Sequence, residues 1–278
     1  MKLGCNDHPS LRCLLDEGSA DVDYLKVTSL EDLESEISSA RAYRPVLVHV
    51  GFGIGDSVET YADLDWGWFN ALLRRAGSPH VAMHLEVSTR NWPYPTDLRF
   101  QTRDEARGMA RHLTELCRYL RDHLEVPLLL ENMDYMGREL RPGYGVFRTS
   151  VEPALMCRLV EEEGAGVLLD LAHLRVTADH LGVDARTFAR SLPLHAVREL
   201  HVCGPVHVPG IGLRDDHGEM TEADFRLLEW TLERTDAAVL TLEYPKARTV
   251  RGTLDEQVEQ VEALGRQLER LDVLVGRF

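Results

Sequence analysis

The chain has no stretch approaching the roughly 18 uninterrupted apolar residues a membrane span needs. Its start, Met1-Lys2-Leu3-Gly4-Cys5-Asn6-Asp7, lacks the apolar core of a signal peptide. The expectation from both absences is a cytoplasmic protein with no membrane partner. Cysteine is sparse and unpatterned: Cys5, Cys13, Cys117, Cys157 and Cys203 form no CxxC pair, so neither a disulfide framework nor a cysteine zinc site is expected. Three of the five fall in apolar segments, where a free thiol packs as a small core residue. If metal is bound, nitrogen and oxygen must bind it. Basic residues are outnumbered, 31 Lys and Arg against 46 Asp and Glu, for a formal charge of −15. Phosphate backbones are gripped by clustered cations, and with no basic run here, no nucleic-acid partner is expected. A glycine-rich phosphate loop is also missing after the first apolar run, which continues Gly4-Cys5-Asn6-Asp7-His8-Pro9. Gly51-Phe52-Gly53-Ile54-Gly55 lacks the third glycine at the spacing of a dinucleotide fingerprint and reads as a flexible βα loop.

What the chain does contain is a period. Its 278 residues, 44% hydrophobic and 28% charged, alternate short apolar runs with longer stretches of helical spacing. The runs are 2–5, 23–27, 46–49, 80–84, 126–131, 166–170, 197–202 and 238–243. They are short, and most lack in/out alternation, as expected of strands buried on both faces of a parallel sheet. Helices are predicted over 29–42, 64–75, 102–124, 151–163, 184–191, 222–234 and 253–271, with a weak one after Pro9. Thr102-Arg103-Asp104-Glu105 has the form of a capping box. Glu163-Gly164 and Arg75-Ala76-Gly77 read as helix ends. Eight strands alternating with about as many helices predict one (β/α)8 barrel, of the TIM type, spanning 1–278.

Chemistry in such a barrel sits at the carboxyl ends of the strands. There the sequence offers His49, His84, Glu131 followed by Asn132, Asp170 followed by His173, His201, the loop Asp215-Asp216-His217-Gly218-Glu219, and Glu243. Burying a carboxylate costs several kcal/mol unless a partner or cation compensates it. Arg175, Arg214 and Lys246 are the basic residues nearest in sequence. Two divalent cations would neutralise Glu131, Asp170, Asp215 and Glu243, and the five imidazoles would complete the shells. Nine groups exceed one six-coordinate ion and suit two or three. Asp216 or Glu219 could replace a member of the Asp215/His217 pair. Of the other histidines, His112 and His123 are expected to face solvent from a helix. His8, His80, His180, His195 and His207 have no pattern behind them, although His8 and His207 could line the mouth.

The order His49, His84, Glu131, Asp170-x-x-His173, His201, Asp215-x-His217, Glu243 resembles the ligand order of xylose-isomerase-like barrels, endonuclease IV with its three zinc ions in particular. The wording of Leu130-Glu131-Asn132, Gly164 to Asp170, Glu199-Leu200-His201-Val202-Cys203-Gly204 and Asp215-Asp216-His217 is similar to another branch, the multinuclear non-heme iron-dependent oxidative enzymes. That family includes the iron subunit of methanobactin biosynthesis. The opening Lys2 to Asn6, with Val22 to Val27, fits it as well. The resemblance implies two or three irons and use of dioxygen to remodel cysteine or other residues of ribosomally made peptides. It also implies a small partner protein that presents the peptide. On this reading Glu131, His173, Asp215 and His217 are catalytic as well as ligating. His173 stands where many members carry Asn, and Lys26 where an acidic residue is common.

Three activities compete. The favoured one is an iron-dependent oxidase of a peptide or small thiol substrate. A zinc-dependent phosphodiesterase or endonuclease would use the same donors, but the −15 charge argues against it. A sugar isomerase or epimerase with one Mn or Mg would need fewer ligands and a rim lysine, for which Lys246 is the candidate.

Overall fold

The computed structural model describes residues 1–28, 32–53, 56–92, 96–140, 142–245 and 254–278. Seven strands run in chain order: β1 (Lys2–Asn6), β2 (Tyr24–Val27), β3 (Val46–Gly53), β4 (Val81–His84), β5 (Leu128–Glu131), β6 (Gly166–Asp170) and β7 (Val197–Val202). A hairpin follows, β8 (Gly204–Val208) and β9 (Gly212–Gly218), and then β10 (Val239–Leu242). Strands β1–β7 and β10 pair in parallel around a closed barrel, with β10 between β7 and β1. The predicted fold class is the observed one.

The barrel strands are largely buried on both faces among the described residues, and the two faces do different work. Outward residues such as Val81, Met83, Leu128, Leu130, Val167 and Leu169 belong to the main core beneath the helices. Inward residues Ala82, Leu129 and Leu168 form a separate small cluster inside the barrel. Because side chains alternate along a strand, the next inward position after each of these is His84, Glu131 and Asp170. Register aligns the ends: His84 pairs with Glu131, and Asp170 and Thr241 both pair with His201. Gly4 faces Thr241 from β1, where a Cβ would stand 2.8 Å from the hydroxyl; the lower barrel has no room for a larger residue there.

The helices are α1 (Pro9–Asp16), α2 (Leu33–Ala40), α3 (Val58–Ala62), α4 (Trp66–Ala76), α5 (Arg103–His123), α6 (Pro153–Glu163), α7 (Leu171–Leu181), α8 (Ala185–Arg190), α9 (Glu222–Leu232) and α10 (Leu254–Val275). Thr102 and Glu105 form the predicted capping box, and Gly77 and Gly164 end α4 and α6 in the left-handed conformation. The short helix α3, helix α7 and a hairpin were not anticipated. Helix α7 shows no polar stripe because it is covered on both sides, with Leu171, Ala172, His173, Leu174, Val176, Thr177 and Ala178 all buried. The stretch read as a loop around Asp215 is the hairpin β8–β9, and it packs on α7. His180 Nε2 donates to the Leu213 carbonyl at 3.0 Å, and Asp179 accepts from the Leu213 amide at 3.2 Å. Of the glycine run 51–55, residues 51–53 belong to β3, while 54 and 55 lie outside the described residues.

Candidate metal centre

The nine side chains singled out above converge on the carboxyl end of the barrel. Glu131 lies at their centre. Its Oε2 stands 2.5 Å from His49 Nε2 and 3.0 Å from His84 Nε2, and its Oε1 lies 3.4 Å from His173 Nδ1 and 3.6 Å from His201 Nδ1. Glu243 is 3.4 Å from both His201 Nδ1 and His217 Nε2, through its two oxygens. Asp215 Oδ2 lies 3.4 Å from His173 Nε2 and 3.5 Å from His217 Nε2.

Local structure explains several of these placements. Asp170 ends β6 and caps α7: its Oδ1 accepts from the His173 amide at 2.6 Å. The cap fixes His173 in the first turn, above the strand end. Asn132 clamps the same corner, its amide group exchanging hydrogen bonds with the Asp170 backbone at 2.8 and 2.9 Å. The Asn132 carbonyl accepts from His173 Nδ1 at 2.8 Å, which leaves Nε2 turned toward Asp215. On β9 the alternation of a strand puts Asp215 and His217 on one face. Asp216 is on the other, 3.2 Å from Arg214, and Glu219 lies 3.6 Å from Arg266; neither substitutes for the pair. The hairpin is pinned at its base by Gly204 and Gly218, since a Cβ on Gly204 would collide with the Glu219 carbonyl. His217 itself takes φ 48°, a left-handed conformation that histidine adopts more readily than most residues.

Beneath the rim lies a set of contacts that sequence reasoning missed. His80 Nε2 meets Glu199 Oε2 at 2.5 Å, Thr241 donates to Glu199 Oε1 at 2.6 Å, and His201 Nε2 lies 3.1 Å from the same oxygen. All four side chains are buried. Engaged through Nε2, His201 presents Nδ1 to Glu131 and Glu243. The signal available was the Glu199-x-His201 spacing, which puts both side chains on the inward face of β7; His80 carried none. Lys26 is 4% exposed and pairs with Glu243, a partner 217 residues away that no local pattern reveals. Arg175 turns instead to Asp224, and Arg214 to Asp216. Lys246 lies outside the described residues.

The remaining histidines divide. His8 caps α1 and lines the mouth, whereas His207 is exposed on β8 and His195 beside β7. His123 does not face solvent freely: it is half-buried, its ring 4.1 Å from Tyr119 and 5.1 Å from Trp66. His112 is half-buried too, 6.1 Å from the Trp92 ring.

Glu131, Asp170 and Glu243 are 1%, 0% and 6% exposed, and Lys26 offsets one of them. Burial brings His49 down to about 3, so its ring is neutral and keeps a lone pair. Burial lifts Asp170 to about 6. It also works against charge on Glu131, but His84, His49 and His201 hold that carboxyl well below its usual range. Burial would likewise lower His173, yet Asp170, Asp215 and Glu131 keep it protonated well above the usual imidazole range. The cluster therefore draws in positive charge. Asp170 Oδ2 and His201 Nδ1 are buried without a hydrogen-bond partner, as donor atoms turned to a cation would be. Ligand atoms lie within 4.8 Å of one another in three sets: His49, His84 and Glu131; Glu131, Asp170, His201 and Glu243; and Cys203, Asp215 and His217. The residues present fit divalent metal.

Beside the cluster opens a cleft of about 560 Å³, walled by Asn6, His8, Arg12, Lys26, His217 and Glu243. Among the described residues no helix is long and apolar enough to cross a membrane.

The model of a family described as the RiPP precursor modification enzymes MbnB/TglH/ChrH matches residues 17–266. A UPF0276 protein of Bordetella pertussis is 30% identical over 224 residues, 75% of this chain and 71% of that one. Among solved structures, the IOLI protein with a binding zinc atom superposes with a TM-score of 0.62 at 14% identity, over 100% of this chain and 99% of the other. A xylose isomerase domain protein from Alicyclobacillus acidocaldarius gives a TM-score of 0.58 at 18% identity, over 99% of both. At those identities the structural likeness speaks for the fold: a xylose-isomerase-like barrel.

Proposed function

The chain belongs to the MbnB/TglH/ChrH family of RiPP precursor modification enzymes, and from that premise we propose that it is a multinuclear non-heme iron enzyme. It uses dioxygen to oxidise a ribosomally made peptide, at a cysteine or another thiol-bearing position. The observation that carries the reading is the burial of Glu131, Asp170, His201 and Glu243 within one ligand set.

His49, His84 and Glu131 would hold one ion, and Glu131, Asp170, His201 and Glu243 a second, with Glu131 shared. Asp215, His217 and His173 would hold a third at the outer edge. Imidazole and carboxylate suit iron, manganese or zinc; bound iron would supply one-electron chemistry with dioxygen beside a coordinated substrate sulfur. The chain's own residues supply the rest. The cleft beside Glu243 and His217 admits a peptide side chain from the mouth. Lys26 keeps Glu243 oriented, and the apolar layer of Ala82, Leu129 and Leu168 shuts water out from below. A small partner protein that presents the peptide belongs to the same proposal. So does residence in the cytoplasm.

A zinc-dependent hydrolase is the second reading, favoured by a donor set that zinc accepts equally well. Elemental analysis separates the two. Protein purified without oxygen should carry roughly two to three irons per chain and consume dioxygen when given its precursor peptide. Zinc alone, with no gain in activity on iron loading, would overturn the iron reading.

A further inference from the structure

Cys203 lies where the sequence led us to expect no metal-binding sulfur. It follows β7 directly, at the point where the chain leaves the barrel for the hairpin. Its side chain is 2% exposed, and its Sγ stands 3.3 Å from Asp215 Oδ1. Asp215 turns its other oxygen to His217 Nε2 at 3.5 Å and to His173 Nε2 at 3.4 Å. The sulfur, a carboxylate oxygen and the His217 nitrogen lie within 4.8 Å of one another.

These separations can be compared with those expected around a single ion. With metal–sulfur and metal–oxygen bonds of about 2.3 and 2.0 Å, two tetrahedral ligands stand about 3.5 Å apart; a nitrogen and an oxygen stand about 3.3 Å apart. The contacts of Asp215 match this spacing on three sides. A hydrogen bond from the thiol to Asp215 accounts for the sulfur alone. It does not account for two imidazole nitrogens at ligand spacing from the same carboxylate. Backbone structure holds the arrangement: Gly204 and Gly218 pack together immediately after Cys203 and His217 and clamp the two sides of the hairpin. Asn132 holds the far side of the His173 ring.

We propose that Cys203 is a ligand of the outer ion, making with Asp215, His217 and His173 a mixed sulfur, nitrogen and oxygen site. This rests on the metal-centre reading above and changes its content. The two inner ions are held by nitrogen and oxygen alone, whereas the outer one gains a soft donor. A thiolate favours zinc or iron over manganese or magnesium, so the outer position discriminates among metals more sharply than the inner pair.

Cobalt reports sulfur ligation directly. The metal-free full-length protein would be titrated with Co(II) without oxygen and followed by absorption. Bound cobalt would be counted by elemental analysis after desalting. Wild type should develop a near-ultraviolet thiolate-to-cobalt band as the outer site fills. Cys203→Ser and Cys203→Ala should lose that band and about one equivalent of cobalt. Both variants should keep the visible cobalt absorption of the inner sites and the circular dichroism of wild type. Full cobalt uptake by wild type without the sulfur band would overturn the role of Cys203 while leaving the inner sites standing. Persistence of the band in both variants would overturn it as well. If wild type binds no cobalt at all, the metal-centre reading fails with it.

Discussion

Glu131, Asp170 and His201 stand on strands paired on both sides within a closed sheet, whereas Asp215 and His217 stand on a two-stranded hairpin that leans on α7. The difference shows in exposure. Side chains of Glu131 and His201 are 2% and 0% accessible, while that of His217 reaches 21%. It shows also in how each group is oriented. Glu199, His80 and Thr241 support His201 from within the barrel, while Asp215 takes its support from the Cys203 thiol and the His217 amide. The inner donors are set by the sheet before any ion arrives. The outer donors stand on a hairpin outside the closed sheet and nearer the solvent, and the proposed outer ion should be the more easily exchanged.

Glu131→Ala should have the largest effect, because this carboxylate is common to both inner sets. We expect bound metal to fall to the outer ion alone, and no turnover, with circular dichroism unchanged. Full metal content in this variant, by elemental analysis, would break the distinction between inner and outer donors. Next in size is Glu199→Ala, which leaves every proposed ligand in place but frees the His201 ring. Loss of such an orienting partner weakens metal binding by about 10–100-fold, measurable by chelator competition. Glu199→Gln, which still accepts a hydrogen bond, should recover part of that loss. An affinity equal to wild type in the alanine variant would show that His201 is held by the barrel walls instead. The smallest change expected is in Gly204→Ala, which forces the hairpin base apart at a cost of about 1–3 kcal/mol. It should release about one ion and spare the inner ones. Equal loss from both regions, read by metal counting, would mean that the hairpin and barrel act as one unit.

The barrel strands were legible because their apolar runs are short and end in chemistry-bearing residues. The predicted ends agree with the observed ones at His84, Glu131, Asp170 and Val202. The same cue located the strand-end groups, while His173, Asp215 and His217 were read from the segments that follow; the structure describes the convergence of all nine, and their binding of metal is our proposal. Helix α7 escaped because amphipathicity vanishes when a helix is buried on two sides. The hairpin escaped because Asp215-Asp216-His217 carries none of the β-branched enrichment by which a strand is recognised. Lys26 with Glu243, and His80 with Glu199, are pairings across the barrel, 217 and 119 residues apart, and no local spacing encodes them. Cys203 is buried as a thiol in an apolar segment is expected to be, but its approach to Asp215 was hidden for a related reason: it depends on the turn of the hairpin.

Composition and periodicity alone determined that this chain closes a parallel barrel, because strand burial and helix spacing are local consequences of side-chain chemistry. They also determined which imidazoles and carboxylates end its strands. Only the folded molecule decided which nitrogen of each histidine faces inward, which carboxylate meets a lysine, and which cysteine stands among the acids. Those outcomes depend on side chains meeting through space across a closed sheet, where partners far apart along the chain compete for the same few ångströms.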